Sequence, residues 1–217
     1  MVSSKVNKTE QEGENIMKNE SIKKLTYSGL MAALCYVGYA VFPAINASGT
    51  KVHLGNAFVV LGALLLGGVY GGLAGAVGLT LADILGGYAA SAPRTFITKL
   101  VIGLVVGLLA HKIAKISEEH KKSYIIKWVA ISAFAALVFN SIFEPALKYV
   151  WYTILIPDVD KATKALLALT TFYTSLINAV INGALAIVLY VALRPALKKA
   201  NLFPTVNYDR RIKEKAE

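Results

Sequence analysis

The sequence predicts an all-α integral membrane protein with six transmembrane helices and both termini cytoplasmic. Three observations lead there. Of its 217 residues, 56% are apolar and only 17% are charged, whereas a soluble domain runs roughly 45–50% apolar and about 25% charged. The apolar residues gather into runs free of Asp, Glu, Lys and Arg, two of them 21 and 29 residues long, and a helix of about 20 apolar residues crosses a bilayer core. The 23 Lys and Arg are spread unevenly over the connections between these runs. A mean hydropathy of +0.56 agrees. A disordered chain and a secreted disulfide scaffold are both excluded. The single cysteine, Cys35, cannot form an internal disulfide and reads as a small packed hydrophobe.

Residues 1–21 form a polar tail without an apolar run, the first sixteen of them expected to be disordered. Met17 followed by Lys18-Asn19-Glu20 marks the first sixteen residues as an optional extension. The membrane domain covers residues 22–195. Its first helix, Leu25 to Ile45, follows Lys23-Lys24 and exceeds the roughly 7–15-residue apolar core of a cleaved signal peptide. Pro43, Asn46, Ser48, Gly49 and Thr50 then mark a loop. Leu54 to Ala82 would measure about 44 Å as one helix, longer than a bilayer core of about 30 Å. The pairs Gly67-Gly68 and Gly71-Gly72, around Val69-Tyr70, divide it into helices two and three. Helix four runs from Pro93 to Ala110 and is followed by a charged segment, His111 to Lys127. Helix five occupies Trp128 to Phe143. A loop rich in Tyr, Trp and charge, Glu144 to Lys164, turns at Pro157-Asp158. Helix six runs from Ala165 to Leu193, stopped by Arg194-Pro195, and residues 196–217 form a cytoplasmic tail.

The formal net charge is +10, which in a soluble protein would suggest nucleic acid as a partner. Here the charges sit at helix ends and tails with no interleaved aromatics, so membrane topology explains them and no nucleic-acid partner is expected. Lys and Arg number five in the N-terminal segment, five after helix four and seven in the C-terminal segment, against six on the other side: Lys51, Arg94, Lys99, Lys148, Lys161 and Lys164. The excess of Lys and Arg marks the cytoplasmic side.

Nine of the seventeen glycines fall between Gly62 and Gly87. Gly67, Gly71 and Gly75, and later Gly103 and Gly107, recur at the spacing that lets helix backbones approach closely in lipid. On helix one, Ser28/Ala32 and Gly29/Ala33 make a smooth face, suited either to internal packing or to docking another membrane protein. Ionisable groups at the membrane rim are costly and therefore informative. Asp83 ends helix three, Arg94 and Lys99 open helix four, and Glu144 and Lys148 flank the end of helix five. The bland account of these is a local ion pair and snorkelling side chains. Asn56, Asn140, Asn178 and Asn182 join them at the extracellular end, with Tyr88, Tyr149, Trp151, Tyr152 and Tyr173 near the same level. They read either as interhelical hydrogen bonds with an aromatic belt or as an outward-opening pocket with a few convergent polar groups. The histidines at 53, 111 and 120 form no metal motif. No serine-nucleophile or nucleotide-binding motif is present, so neither catalysis nor a cofactor or metal is expected. Two inverted halves are not evident either.

The stretch Val52-His53-Leu54-Gly55-Asn56-Ala57-Phe58-Val59-Val60, continued by Leu64-Leu65-Leu66-Gly67-Gly68, the Gly-rich third helix to Ala82-Asp83, then Ala92-Pro93, Lys99 and Gly103, resembles the substrate-binding S components of energy-coupling factor (ECF) transporters. The riboflavin, pyridoxine and hydroxymethylpyrimidine group is the most similar, and the resemblance covers about residues 22–195. It implies a multi-pass protein of a bacterial cell membrane that binds a vitamin or precursor from outside. Its partners would be a transmembrane coupling protein (T component) and two ATP-binding cassette ATPases, besides membrane lipid. It also implies that Ser28, Gly29, Ala32 and Ala33 form the docking face for the coupling protein. Here Ser or Gly replaces the more common alanine at the first position, and Asn56 stands where similar proteins often carry Asp.

The reading is therefore a six-helix S component that binds a vitamin without altering it. Asn56, Asp83, Lys99, Asn140, Glu144, Asn178 and Asn182 form the polar set, with Trp151 and Tyr152 as aromatic cover. Pyridoxine or hydroxymethylpyrimidine suits a few hydrogen bonds plus ring stacking; riboflavin, pantothenate and a corrinoid are the other vitamins considered. The alternatives from other classes are an autonomous secondary transporter or intramembrane enzyme, and a purely structural membrane subunit.

Overall fold

The computed structural model describes residues 2–40, 45–47, 50–118, 120–200, 202–204 and 206, with side chains described over 21–40 and from residue 51 onward. The chain runs α1 (Val2–Ala40), β1 (Ile45–Ala47), β2 (Thr50–Val52), α2 (Gly55–Leu66), α3 (Gly68–Leu85), one 3-10 turn (Ala89–Ser91), α4 (Ala92–Gly107) continued by a π turn (Leu108–Ile113), α5 (Lys122–Leu155) and α6 (Lys161–Lys199). The two strands form an antiparallel ribbon pairing Ile45 with Val52 and Ala47 with Thr50.

α2 is the hub. It packs against α1, α3, α4 and α6, and every residue of it except Phe58 is buried. Around it, α5 packs along α6, α3 along α4, and α4 against α5. Small residues make these approaches possible. Gly67 turns the chain between α2 and α3 in one residue, at φ +89°, a conformation glycine adopts without steric cost. A methyl group at Gly71 would collide with the backbone of Gly62 and Ala63, and methyl groups at Gly103 and Gly107 with the backbones of Gly72 and Gly68. On the same principle Gly78 admits the backbone of Ala32, seating α1 on α3.

The distribution of polarity is that of a protein in lipid. Leu73, Val77, Leu81 and Ile84 of α3 face outward, as do Leu166, Leu169, Ile177, Val180 and Val188 of α6. Ser132, Asn140, Ser141, Lys148, Thr171, Ser175, Asn178 and Asn182 are buried. Polar groups inside a bundle with an apolar exterior need partners on neighbouring helices, because lipid offers none. Among the described residues, α3, the Ala89–Ile113 segment, α5 and α6 are long and apolar enough to cross a membrane, and α2 is apolar but shorter at 12 residues.

The structure corrects several sequence-based boundaries. α1 reaches back to Val2, so residues 2–16, expected to be disordered, continue the helix. The loop markers Pro43, Ser48 and Gly49 lie outside the described residues, and Ile45, the expected last residue of helix one, begins a strand instead. The expected loop from Glu144 is helical to Leu155, so Glu144, Lys148, Trp151 and Tyr152 all belong to α5. Pro145 lies inside this helix; its missing N–H costs one helical bond, which the buried setting tolerates. Arg194-Pro195 likewise fails to stop α6, which runs on to Lys199 because Ala, Leu and Lys after the proline are good helix formers. The π turn is stapled by His111, whose Nε2 lies 3.0 Å from the Ala63 carbonyl and Nδ1 2.9 Å from Ser117 Oγ. A carbonyl only accepts, so the neutral ring carries its proton on Nε2 and accepts from Ser117.

Candidate ligand-binding site

One end of the bundle holds a cavity of about 310 Å³. The C-terminal end of α1, β2, the first turn of α2, the end of α3, the start of α4, the middle of α5 and the N-terminal half of α6 all contribute to its wall.

Its carboxylates are held by neighbours from different helices. Asp83, at the end of α3, accepts from Tyr39 of α1 at 2.9 Å and from the hydroxyl of Thr95 on α4. Glu144 of α5 accepts from Asn140 Nδ2 at 2.9 Å and from Ser175 Oγ of α6 at 3.4 Å, and lies 3.7 Å from Lys99 Nζ of α4. Lys99 is only 4% exposed, and a buried charge of this kind needs a compensating partner. Arg94, one turn before Lys99, is buried in the same wall. Over the opening, Lys51 Nζ lies 4.6 Å from the Tyr39 ring centroid and 4.8 Å from that of Tyr88, two cation–π contacts that tie β2 to the ends of α1 and α3.

The segment between β2 and α2 is fixed by α6. Asn178 accepts from the His53 N–H at 3.0 Å and donates to the Lys51 carbonyl at 2.9 Å. Asn182 accepts from the Ala57 N–H and donates to the His53 carbonyl, each at 2.9 Å. His53 Nδ1 accepts from the Gly55 N–H at 3.1 Å, so the neutral ring presents its proton on Nε2. Burial, and then the positive charge of Lys99, push the His53 pKa down to about 3, so the imidazole is neutral at physiological pH. With His53 neutral, the cavity presents two carboxylates and three cations: Asp83 and Glu144 against Lys51, Arg94 and Lys99. Asn56 Oδ1 and Arg94 Nε, both buried on residues that line it, have no hydrogen-bond partner among the described residues.

Of the residues singled out from sequence, Asn56, Asp83, Lys99, Glu144 and Asn178 line this cavity. Asn140 stands behind Glu144, and Asn182 lies below Asn178. Trp151 is outside the cavity wall, donating Nε1–H to the Ala90 carbonyl at 3.2 Å, and Tyr152 is half-buried outside it as well. Lys148 of α5 donates to Thr171 of α6 at 2.9 Å, while the ion pair of Glu144 is with Lys99. The smooth face of α1 divides: Ala32 packs against Gly78 and Ser28 is half-buried, whereas Gly29 and Ala33 are exposed. Tyr39, Lys51, His53, Ser91, Thr95 and Ser175 line the cavity without having been selected for the site from sequence. Ser91, Thr95 and Lys99 recur every four residues, and Ser175, Asn178 and Asn182 share a helical face, so two of these stripes were open to sequence reading. Tyr39 and His53 are brought in by tertiary packing alone.

The described helices pack around α2 as a bundle with an apolar exterior and a polar cavity at one end. The comparisons place it further. The family described as ECF-type riboflavin transporter, S component, matches residues 19–198, and the chain belongs to this family. Its fold is similar to the crystal structure of the S-component for biotin from an ECF-type ABC transporter, with a TM-score of 0.56 and 20% identity, over 82% of this chain and 93% of that one. Among individually curated proteins, none matches the sequence.

Proposed function

We propose that the chain is the substrate-specific subunit of an ATP-driven importer and that the cavity takes up a vitamin or vitamin precursor from the extracellular side. The observation that carries this reading is the cavity itself: polar groups from α1 to α6 converge at one end of an S-component fold. The chain binds its ligand and leaves it chemically unaltered. Six helices with both termini cytoplasmic set the cavity facing out, and a T component with two ATP-binding cassette ATPases supplies the driving force. Gly29 and Ala33, the exposed half of the α1 face, are the contact for the T component.

The lining favours a small polar nitrogen heterocycle, with pyridoxine or hydroxymethylpyrimidine as the first choice. Tyr39 and Tyr88 offer ring surface, Asn56 and Arg94 offer an acceptor and a donor without partners, and a volume of about 310 Å³ lies at the low end of the roughly 300–1,000 Å³ range of ligand sites. Riboflavin is the second reading, favoured by the family's description.

Protein purified from its native membrane in mild detergent, then denatured, should release a stoichiometric vitamin identifiable by mass spectrometry. Protein that releases none and shows no saturable binding of these vitamins by calorimetry would remove the proposal. Lys99→Ala and Asn140→Ala should each weaken binding by about tenfold, because each strips a partner from Glu144 in a buried setting. Wild-type affinity in both variants would move the site elsewhere.

A further inference from the structure

A second cavity, of about 300 Å³, lies at the opposite end of the bundle, between the N-terminal turn of α5 and the C-terminal turns of α6. Its walls divide by chemistry. Lys122, Arg194 and Lys198 give it positive charge, no carboxylate among the described residues lines it, and Ile126 and Val191 give it apolar sides.

We propose that this cavity holds the phosphate headgroup of an anionic membrane lipid, with the first acyl methylenes against Ile126 and Val191. Arg194 is already oriented for the task. Its Nη2 donates to the Ile116 carbonyl at 3.2 Å, and its guanidinium carbon lies 5.8 Å from the Phe203 ring centroid. One edge of the fork is thereby fixed, while the buried Nε has no partner among the described residues. One turn earlier, Tyr190 lines the same cavity at 1% exposure, with its hydroxyl beside the Arg194 guanidinium. An unfilled guanidinium donor beside two lysines matches the oxygens of a phosphate, which accept charge-assisted bonds from such groups. A free phosphate ion would gain nothing from the apolar sides, whereas a lipid gains from both. Basic pockets between membrane helices are suited to this use, because anionic lipid is drawn to juxtamembrane lysine and arginine. The assignment is independent of which vitamin fills the first cavity.

The test is a binding titration on the full chain in mild detergent, with dioctanoyl phosphatidylglycerol, dioctanoyl phosphatidylcholine and inorganic phosphate as probes. The glycerol lipid should saturate one site at least about tenfold more tightly than the choline lipid, and inorganic phosphate at equal concentration should not displace it. Lys122→Ala and Arg194→Ala should each weaken it about fivefold, with Arg194→Lys restoring part of the loss. Lys24→Ala, on α1, should change nothing. Lys122 is exposed, so its variant remains readable should removal of Arg194 disturb folding. Equal affinity for the two lipids would overturn the proposal, as would equal losses from Lys24→Ala and Lys122→Ala. Displacement by inorganic phosphate would overturn it in favour of a soluble anion.

Discussion

Asn182 has no exposed surface and bonds backbone groups of two segments, the Ala57 N–H and His53 carbonyl near the start of α2 and the Asn178 carbonyl of its own helix. Replacing it by alanine leaves the buried His53 carbonyl without this donor, a loss of roughly 1–3 kcal/mol, while the Ala57 N–H keeps its bond to the Leu54 carbonyl at 3.1 Å. Asn182→Ala should therefore lose about 1–3 kcal/mol of stability by that accounting, read as a lower thermal midpoint in detergent, and should loosen the His53 segment with it. His53 itself sets a pH limit. Its folded pKa of about 3 lies below its ordinary 6.5, so above pH 6.5 the ring is neutral whether folded or unfolded and contributes no pH dependence. Below 6.5 the unfolded chain takes up a proton that the folded chain refuses, and stability falls as the pH drops towards 3, by up to about 1.4 kcal/mol per pH unit. A midpoint measured from pH 7.5 to 5 should decline in the wild type and less steeply in His53→Gln; parallel curves would show that the buried ring does not govern this range. The asparagines were conspicuous in the sequence as polar groups within apolar runs. His53 was visible only as one of three scattered histidines, since its burial depends on α2 and α6 closing over it.

At the scale of elements, glycine decided what could be read in advance. A division of the Leu54–Ala82 run between Gly67 and Gly72 was legible because an uninterrupted helix would overshoot the bilayer; the structure turns at Gly67 alone, with Val69 and Tyr70 already inside α3. Helix ends that depend on neighbours were not legible. The aromatic and charged composition after Phe143 suggested a loop, yet α5 continues through it because Pro145, Lys148 and Ser141 are buried against the bundle. That continuation places Glu144 within an unbroken helix, held at a fixed height opposite Lys99. The two stripes on α1 make the same point. Sequence spacing gave Ser28/Ala32 and Gly29/Ala33 as equivalent, but packing against Gly78 uses one and leaves the other outside. Ala33→Trp should therefore preserve folding and ligand binding while abolishing transport in the reconstituted importer. Ala32→Trp should instead destabilise the subunit itself, by overpacking the α1–α3 contact at a cost of about 1–3 kcal/mol. Normal transport by Ala33→Trp would remove this face from the docking proposal.

At the scale of the whole molecule, the all-α membrane architecture was legible from composition and run length alone, whereas the hub position of α2 was not, since nothing in an apolar run states what surrounds it. That hub has 12 residues, about 18 Å at 1.5 Å per residue, inside a bilayer core of about 30 Å. The hub helix is thus shorter than a bilayer core is thick, and with the cavity facing out as proposed, its floor at the start of α2 lies up to about 12 Å beneath the outer surface by the same measures. A charge held there sits part of the way through the membrane's electric field. With a full crossing worth about 2.3 kcal/mol per charge per 100 mV, two-fifths of the thickness corresponds to about 0.9 kcal/mol, a change of up to about fivefold in affinity. In vesicles polarised negative inside, an anionic ligand should bind more weakly by up to about that factor and a cationic one more tightly, while a neutral heterocycle should be indifferent. The shortness of one buried helix would make binding itself a voltmeter for the charge on the ligand.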